Sequence, residues 1–165
     1  MVIIEGSHRA DGHTGLIAQE LADQLPASKV ISLRDYDIGH YTYDHQHIED
    51  DFLPLLRRVA RYNCIVMVTP IYWYTMSGRM KVFFDRLTDS MQVDKALGRS
   101  LAGKKLAAVS CGSEDIVPSG FFEPFELTAG YLNMKYIGHC HTWMVDSKMN
   151  TVSTQRLAAL APQLT

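Results

Sequence analysis

The sequence predicts a doubly wound α/β fold, with a five-stranded parallel sheet in the order 2-1-3-4-5 and helices on both faces. Three observations predict it. Short apolar runs alternate with segments of helical periodicity along the whole chain. The apolar runs are continuous rather than alternating, as strands covered on both faces require. No linker, repeat or low-complexity tract interrupts the series, and 165 residues suit one domain, residues 1–165. Five β–α units joined by right-handed crossovers then give this strand order.

Each element has its own warrant. Residues 1–5 carry Val2, Ile3 and Ile4 and read as the first strand. Residues 14–25 read as the first helix, with Ile17, Leu21 and Leu25 at four-residue spacing, Ala18 and Ala22 beside them, and a stop at Pro26. Residues 28–33 read as the second strand and 34–49 as a polar, aromatic loop. Asp50 and Asp51 can cap a second helix that sets Phe52, Leu56 and Val59 on one face. Pro54 falls in its first turn, where proline is tolerated. Residues 63–69 form the third strand, 77–91 the third helix, 104–111 the fourth strand, 121–132 the fourth helix, 134–145 the fifth strand and 151–162 the fifth helix.

Composition excludes several classes. Hydrophobic residues make up 47% and charged residues 21%, so the chain can bury a core of its own. A net charge of −2 gives no sign of the basic patch that nucleic acid or an anionic membrane requires. The same balance argues against a strongly acidic electron shuttle. Cys64, Cys111 and Cys140 are far apart and no C-x-x-C exists, which argues against zinc, iron–sulfur and thioredoxin-type sites. Cys64 and Cys140 sit in apolar strand patterns and are expected to be core thiols. There is no signal-peptide pattern and no apolar run near 18 residues, so a reducing cytoplasm is expected.

Two loops carry the functional signal. The first, Gly6-Ser7-His8-Arg9-Ala10-Asp11-Gly12-His13-Thr14, joins the first strand to the first helix. Free N–H groups at that helix start favour an anion. Gly6 and Gly12 allow close backbone approach. Ser7 and Thr14 offer hydroxyls, and Arg9 a charged fork suited to phosphate. His8 and His13 flank the loop and are further candidates to contact a phosphate. The plainer reading is an ordinary β–α turn capped by Thr14. The loop matches neither G-x-G-x-x-G nor G-x-x-x-x-G-K-[ST]. The second loop follows the third strand as Pro70-Ile71-Tyr72-Trp73-Tyr74. Three aromatics there suit a flat ligand with an apolar ring and polar edges, or else simply pack a loop. In a doubly wound sheet ligands bind at the switch point, beyond the carboxyl ends of strands one and three. Both loops follow those two strands, so they are expected to be neighbours in space.

Together the two segments resemble the flavodoxin-like NAD(P)H-dependent oxidoreductases, the FMN reductase and quinone reductase group. Residues 6–14 match a G-S-x-R-x-x-G-x-T loop, and residues 69–86 match T-P-x-Y-W-Y-x-x-S-x-x-M-K-x-F-x-D-R. The resemblance implies a flavodoxin-like fold and an FMN cofactor with NAD(P)H as electron donor. It implies a small-molecule electron acceptor, such as a quinone or free flavin, and a homodimer. Ser7, Arg9 and Thr14 would hold the phosphate, and Tyr72, Trp73 and Tyr74 would contact or border the ring. A third loop, Ser110-Cys111-Gly112-Ser113-Glu114-Asp115, would border the isoalloxazine with Ser110, Cys111, Gly112 and Ser113, though each side chain there reads equally well as part of a glycine-containing turn capped by Ser113. No catalytic side chain is named, because the flavin carries the chemistry. A flavin-binding electron-transfer or regulatory module without efficient NAD(P)H turnover is the alternative.

Three further expectations follow from spacing. The seven histidines, among them His40, His45, His47, His139 and His141, show no metal-ligand spacing, so no metal is expected. Lys81, Asp85 and Arg86 recur at helical spacing and read as a fold-supporting polar face or an interface rather than as catalysts. Phe121, Phe122 and Phe125 open the fourth helix, and at least one is expected to project outward near Trp73 and Tyr74 as an interface or lid.

Overall fold

A computed structural model describes residues 1–25 and 27–165. The elements in order are β1 (Val2–Glu5), α1 (His13–Asp23), β2 (Lys29–Ser32), α2 (Phe52–Val59), β3 (Cys64–Tyr72), β4 (Thr75–Met76), α3 (Gly78–Gln92), α4 (Lys95–Arg99), β5 (Lys105–Gly112), α5 (Glu123–Tyr131), β6 (Lys135–Val145), β7 (Lys148–Met149) and α6 (Thr151–Leu164). The expected helix stop at Pro26 lies outside the described residues.

The sheet runs β2-β1-β3-β5-β6-β7. Its first five strands are parallel and stand in the predicted order, with Ile3 opposite both Val30 and Val66, Val66 opposite Ala107, and Val109 opposite Cys140. Alternate side chains of each strand enter opposite layers. Val2, Ile4, Ile65, Met67, Leu106 and Ala108 meet Phe52, Phe83 and Phe125 from α2, α3 and α5. Ile3, Val66, Val68, Ala107, Val109 and Cys140 meet Ile17, Leu21, Leu157 and Leu160 from α1 and α6. Burial on both faces is why the strands read as unbroken apolar runs. Cys64 and Cys140 are buried thiols, as expected.

Three pieces differ from the sequence reading. The third strand does not stop at residue 69. It continues through Pro70 and Ile71 to Tyr72 and folds back as β4, pairing Ile71 with Met76 and Tyr72 with Thr75. The segment read as a loop is therefore a hairpin whose turn is Trp73-Tyr74. α4 and β7, of five and two residues, are too short to show a period.

The phenylalanines are the clearest correction. Phe121, Phe122 and Phe125 are all buried, at 4%, 9% and 0% exposure. Phe121 and Phe122 lie in a turn before α5, so helical divergence does not separate them. Phe121 packs edge-on against Phe122 at 5.0 Å, and Phe122 stacks on His139 at 3.9 Å. The exposed apolar side chains of that helix are Leu127 and Tyr131.

Arg86 explains how the long segment between β2 and α2 is held with a single 3-10 turn, Leu33–Asp35, as its regular structure. Its guanidinium is buried and donates to Asp89 Oδ2 at 2.5 Å, to Asp50 Oδ2 at 2.5 Å and Oδ1 at 3.1 Å, and to the carbonyls of Gly39 and His47 at 2.9 Å each. Asp50 in turn accepts from Gly39 N and Phe52 N. Lys81 pairs with Asp85 at 2.6 Å on the exposed side of the same helix. Of the three polar residues, Arg86 is fold-supporting, while Lys81 and Asp85 form an exposed pair.

Candidate functional site

A cleft of about 360 Å³ opens at the carboxyl ends of β1, β3 and β5. Its volume lies within the range of small-molecule sites. Ser7, Arg9, Gly12, His13 and Thr14 line it from the first loop. Pro70, Ile71 and Tyr72 line it from the end of β3, and Cys111, Gly112 and Ser113 from the end of β5. Met144, which sequence reasoning missed, closes it from β6.

The first loop is fastened from below by Glu5, the last residue of β1. Its buried carboxylate accepts from Ser7 N at 2.6 Å, Ser32 Oγ at 2.5 Å and Arg34 Nη1 at 3.0 Å. Ser7 Oγ then accepts from Arg9 N at 3.1 Å. Gly6 ties the loop to the neighbouring strand and helix. Its N–H donates to the Val68 carbonyl at 2.9 Å, and its carbonyl accepts from Ser77 Oγ at 2.6 Å. A Cβ at Gly6 would lie 2.9 Å from Met80 Cε and 3.1 Å from Met80 Cβ, so any larger residue would force Met80 to shift. The one signal for Glu5 in the sequence is a lone acid ending an apolar strand.

The amino terminus of α1 suits an anion. Its N-cap is Gly12, not Thr14; no side-chain oxygen caps the first turn, and no acidic residue lies in it. A Cβ at Gly12 would sit 3.3 Å from Arg9 Cβ and 3.4 Å from Ser7 Oγ, within the cradle the loop forms. Arg9 is mostly exposed and holds Asp11 loosely at 3.5 Å. Backbone N–H groups, two hydroxyls and one mobile guanidinium make a donor set fit for a phosphate monoester.

The second wall carries conformational strain. Trp73 and Tyr74 both have positive φ, 47° and 69°. A two-residue hairpin turn with that geometry normally takes Asn-Gly, because a side chain there crowds the backbone. Here two aromatics occupy it, 90% and 74% exposed. Tyr72 lines the cleft; Trp73 and Tyr74 stand at the hairpin tip beyond it.

The third wall is positioned by His141. Its Nε2 lies 2.8 Å from the Glu114 carbonyl, which can only accept, so Nε2 carries the proton. Nδ1 therefore accepts from Ser110 Oγ at 2.8 Å. Ser110 is buried behind the cleft, and its role is to hold this bond. A Cβ at Gly112 would meet His141 Cε1 at 2.8 Å, so the imidazole packs directly under the loop. Arg156 clamps the far end through Asp115 at 2.6 Å. Burial pushes the Cys111 thiol up to about 11, the opposite of an activated nucleophile. Among the described residues no group of three His, Cys, Asp or Glu side chains could hold a metal. His8 points elsewhere, as its ring borders an adjoining cleft.

The comparisons agree with this geometry. The family model for NADPH-dependent FMN reductase matches residues 1–121. The chain belongs to that family. It is an oxidoreductase that uses FMN with NAD(P)H as electron donor. A Bacillus subtilis protein, YwqN, provisionally described as an NAD(P)H-dependent FMN-containing oxidoreductase, is 22% identical over 149 residues, 84% of this chain and 82% of that one. Solved structures show the fold. A Trp repressor binding protein from Bacillus subtilis superposes with a TM-score of 0.77 at 20% identity, over 99% of this chain and 97% of that one. An NADPH-quinone reductase from P. pentosaceus gives 0.70 at 15%, over 99% and 96%. A Streptococcus flavodoxin gives 0.63 at 17%, over 99% and 95%. The flavodoxin-like architecture is the one the sequence predicts. No described helix is long and apolar enough to cross a membrane.

Proposed function

We propose that this chain, as one FMN-binding domain, delivers electrons from NAD(P)H to a quinone, free flavin or similar planar acceptor by a ping-pong mechanism. When bound, FMN supplies the two-electron chemistry. Ser7, Arg9, Thr14 and the N–H groups from Gly12 to Thr14 hold its phosphate, with His13 at the loop's edge. Pro70, Ile71 and Tyr72 on one side and Cys111, Gly112 and Ser113 on the other flank the ring. The N–H groups of the β5 loop stabilise negative charge at the ring edge. No protein acid or base is needed.

The observation that carries this reading is the open side of the cleft. Glu5, Ser77 and His141 fasten the loops that wall it, whereas Tyr72, which lines it, leads into the exposed hairpin tip of Trp73 and Tyr74. One accessible face must serve donor and acceptor in turn. Steady-state velocities with both substrates varied should give parallel double-reciprocal lines; intersecting lines would mean that both bind together. The exposed Trp73, Tyr74, Leu127 and Tyr131 support a homodimer. Light scattering of the FMN-loaded protein should give twice the chain mass of 18.6 kDa, and a monomeric mass would overturn that part. Three reduced, buried cysteines support a cytoplasmic setting.

A further inference from the structure

A second cleft, also of about 360 Å³, lies on the other side of the first loop from the FMN cleft. Its polar groups are His8, His40 and Arg79, and its apolar walls are Leu33, Ile38 and Val82. No carboxylate lines it.

The donors here are arranged for an anion. Arg79 Nε donates to His8 Nδ1 at 3.0 Å. Arginine cannot accept, so His8 Nδ1 is the acceptor and its proton sits on Nε2, a donor left for a ligand. Arg79 Nη1 reaches only the Leu33 carbonyl, at 3.5 Å. Among the described residues, four arginines pair with no carboxylate; Arg58, Arg61 and Arg99 are exposed, whereas Arg79 is partly buried. A partly desolvated guanidinium with no counter-ion attracts an anion more strongly than one in open water. His40 is held in place indirectly, since Arg86 and Asp50 clamp Gly39 beside it by its carbonyl and its N–H.

We propose that this cleft binds the phosphate-bearing adenosine end of the nicotinamide donor, with Arg79, His8 and His40 on the 2′-phosphate. The apolar walls suit a planar base, and one guanidinium with imidazole N–H groups beside it suits a phosphate. The position suits a two-ended ligand, because the loop that binds the FMN phosphate through Ser7 and Arg9 presents His8 to this side. The site thereby selects NADPH over NADH. This inference rests on the FMN-dependent reading of the neighbouring cleft.

The test uses the FMN-loaded protein, the variant Arg79→Gln and 2′,5′-ADP as probe. FMN affinity, measured first by fluorescence quenching, should be the same in both proteins; failure of FMN to bind the wild type would overturn the parent reading instead. Calorimetry should show 2′,5′-ADP binding the wild type and weakening about tenfold or more in Arg79→Gln, the loss of one charge-assisted contact. The KM for NADPH should rise by a similar factor while that for NADH moves less than about twofold, since NADH lacks the group read. Unchanged 2′,5′-ADP binding in the variant, no binding in the wild type, or an equal rise for NADH and NADPH would each overturn the assignment.

Discussion

Replacing Arg86 with methionine should be among the most damaging single changes in this molecule. The guanidinium is 1% exposed and makes two bonds to Asp50, one to Asp89 and two to the carbonyls of Gly39 and His47. Methionine fills much of the volume over the Phe52 ring, which the guanidinium carbon overlies at 5.0 Å. It answers none of the five acceptors. Breaking a buried ion pair by removing one partner costs about 3–5 kcal/mol, because the other charges stay buried. For a chain of this size that lowers the melting temperature by roughly 6–20 °C. The loss should also depend on pH. Burial opposes ionisation of Asp50, but hydrogen bonds from Arg86, Phe52 N and Gly39 N outweigh it and hold the carboxyl below its ordinary 3.8. A depressed folded pKa contributes stability above the unfolded value and loses it as pH falls through the folded one. The gap between wild type and variant should therefore be widest near neutrality and narrow below about pH 4. Urea unfolding followed by tryptophan fluorescence at fixed FMN concentration measures it. A loss under about 1 kcal/mol at pH 7, or a gap independent of pH down to 3, would refute the argument that these carboxylates depend on Arg86.

Other changes test other parts of the structure. The double change Trp73→Asn with Tyr74→Gly should raise stability by about 1–2 kcal/mol, since the turn's positive φ angles then carry no strain, while turnover falls. Unchanged or lower stability by urea unfolding would show that the aromatics are not strained. Gly6→Ala should cost about 1–3 kcal/mol and weaken FMN, because its Cβ would press Met80 and shift the first loop; wild-type FMN titration curves would contradict that. Burial holds the Cys111 thiol near about 11 and Cys140 near about 12, so native protein at pH 8 should resist iodoacetamide while urea-unfolded protein reacts at all three cysteines. Rapid alkylation of Cys111 in the native state would show an exposed thiolate.

What was legible in the sequence followed from local pattern. Continuous apolar runs named the parallel strands, and the topology then placed two loops 60 residues apart against each other. What was not legible was long-range. The Ser77–Gly6 bond that joins those loops spans 71 residues, and the Arg86–Asp50 pair spans 36; neither leaves a period. His141 falls within the apolar pattern of the fifth strand, and only the fold puts it beneath Gly112. Phe121 and Phe122 were misread because the helix starts after them, and helix boundaries are the least certain feature of a periodic pattern. The Trp73-Tyr74 turn hid for the opposite reason. Its residues violate the rule that announces such a turn, and functional sites are where that rule is expected to fail.

The most direct test of the account is a comparison of FMN and riboflavin binding to the wild type and to Arg9→Ala. The first loop is assigned to the phosphate, which riboflavin lacks. The wild type should bind FMN far more tightly than riboflavin. Arg9→Ala should lose about 1.5 kcal/mol toward FMN, roughly tenfold and at the low end for a charge-assisted bond because Arg9 is 68% exposed, with little change toward riboflavin. Equal affinity of the wild type for the two flavins, or equal losses in the variant, would contradict the assignment of the phosphate to the loop between β1 and α1.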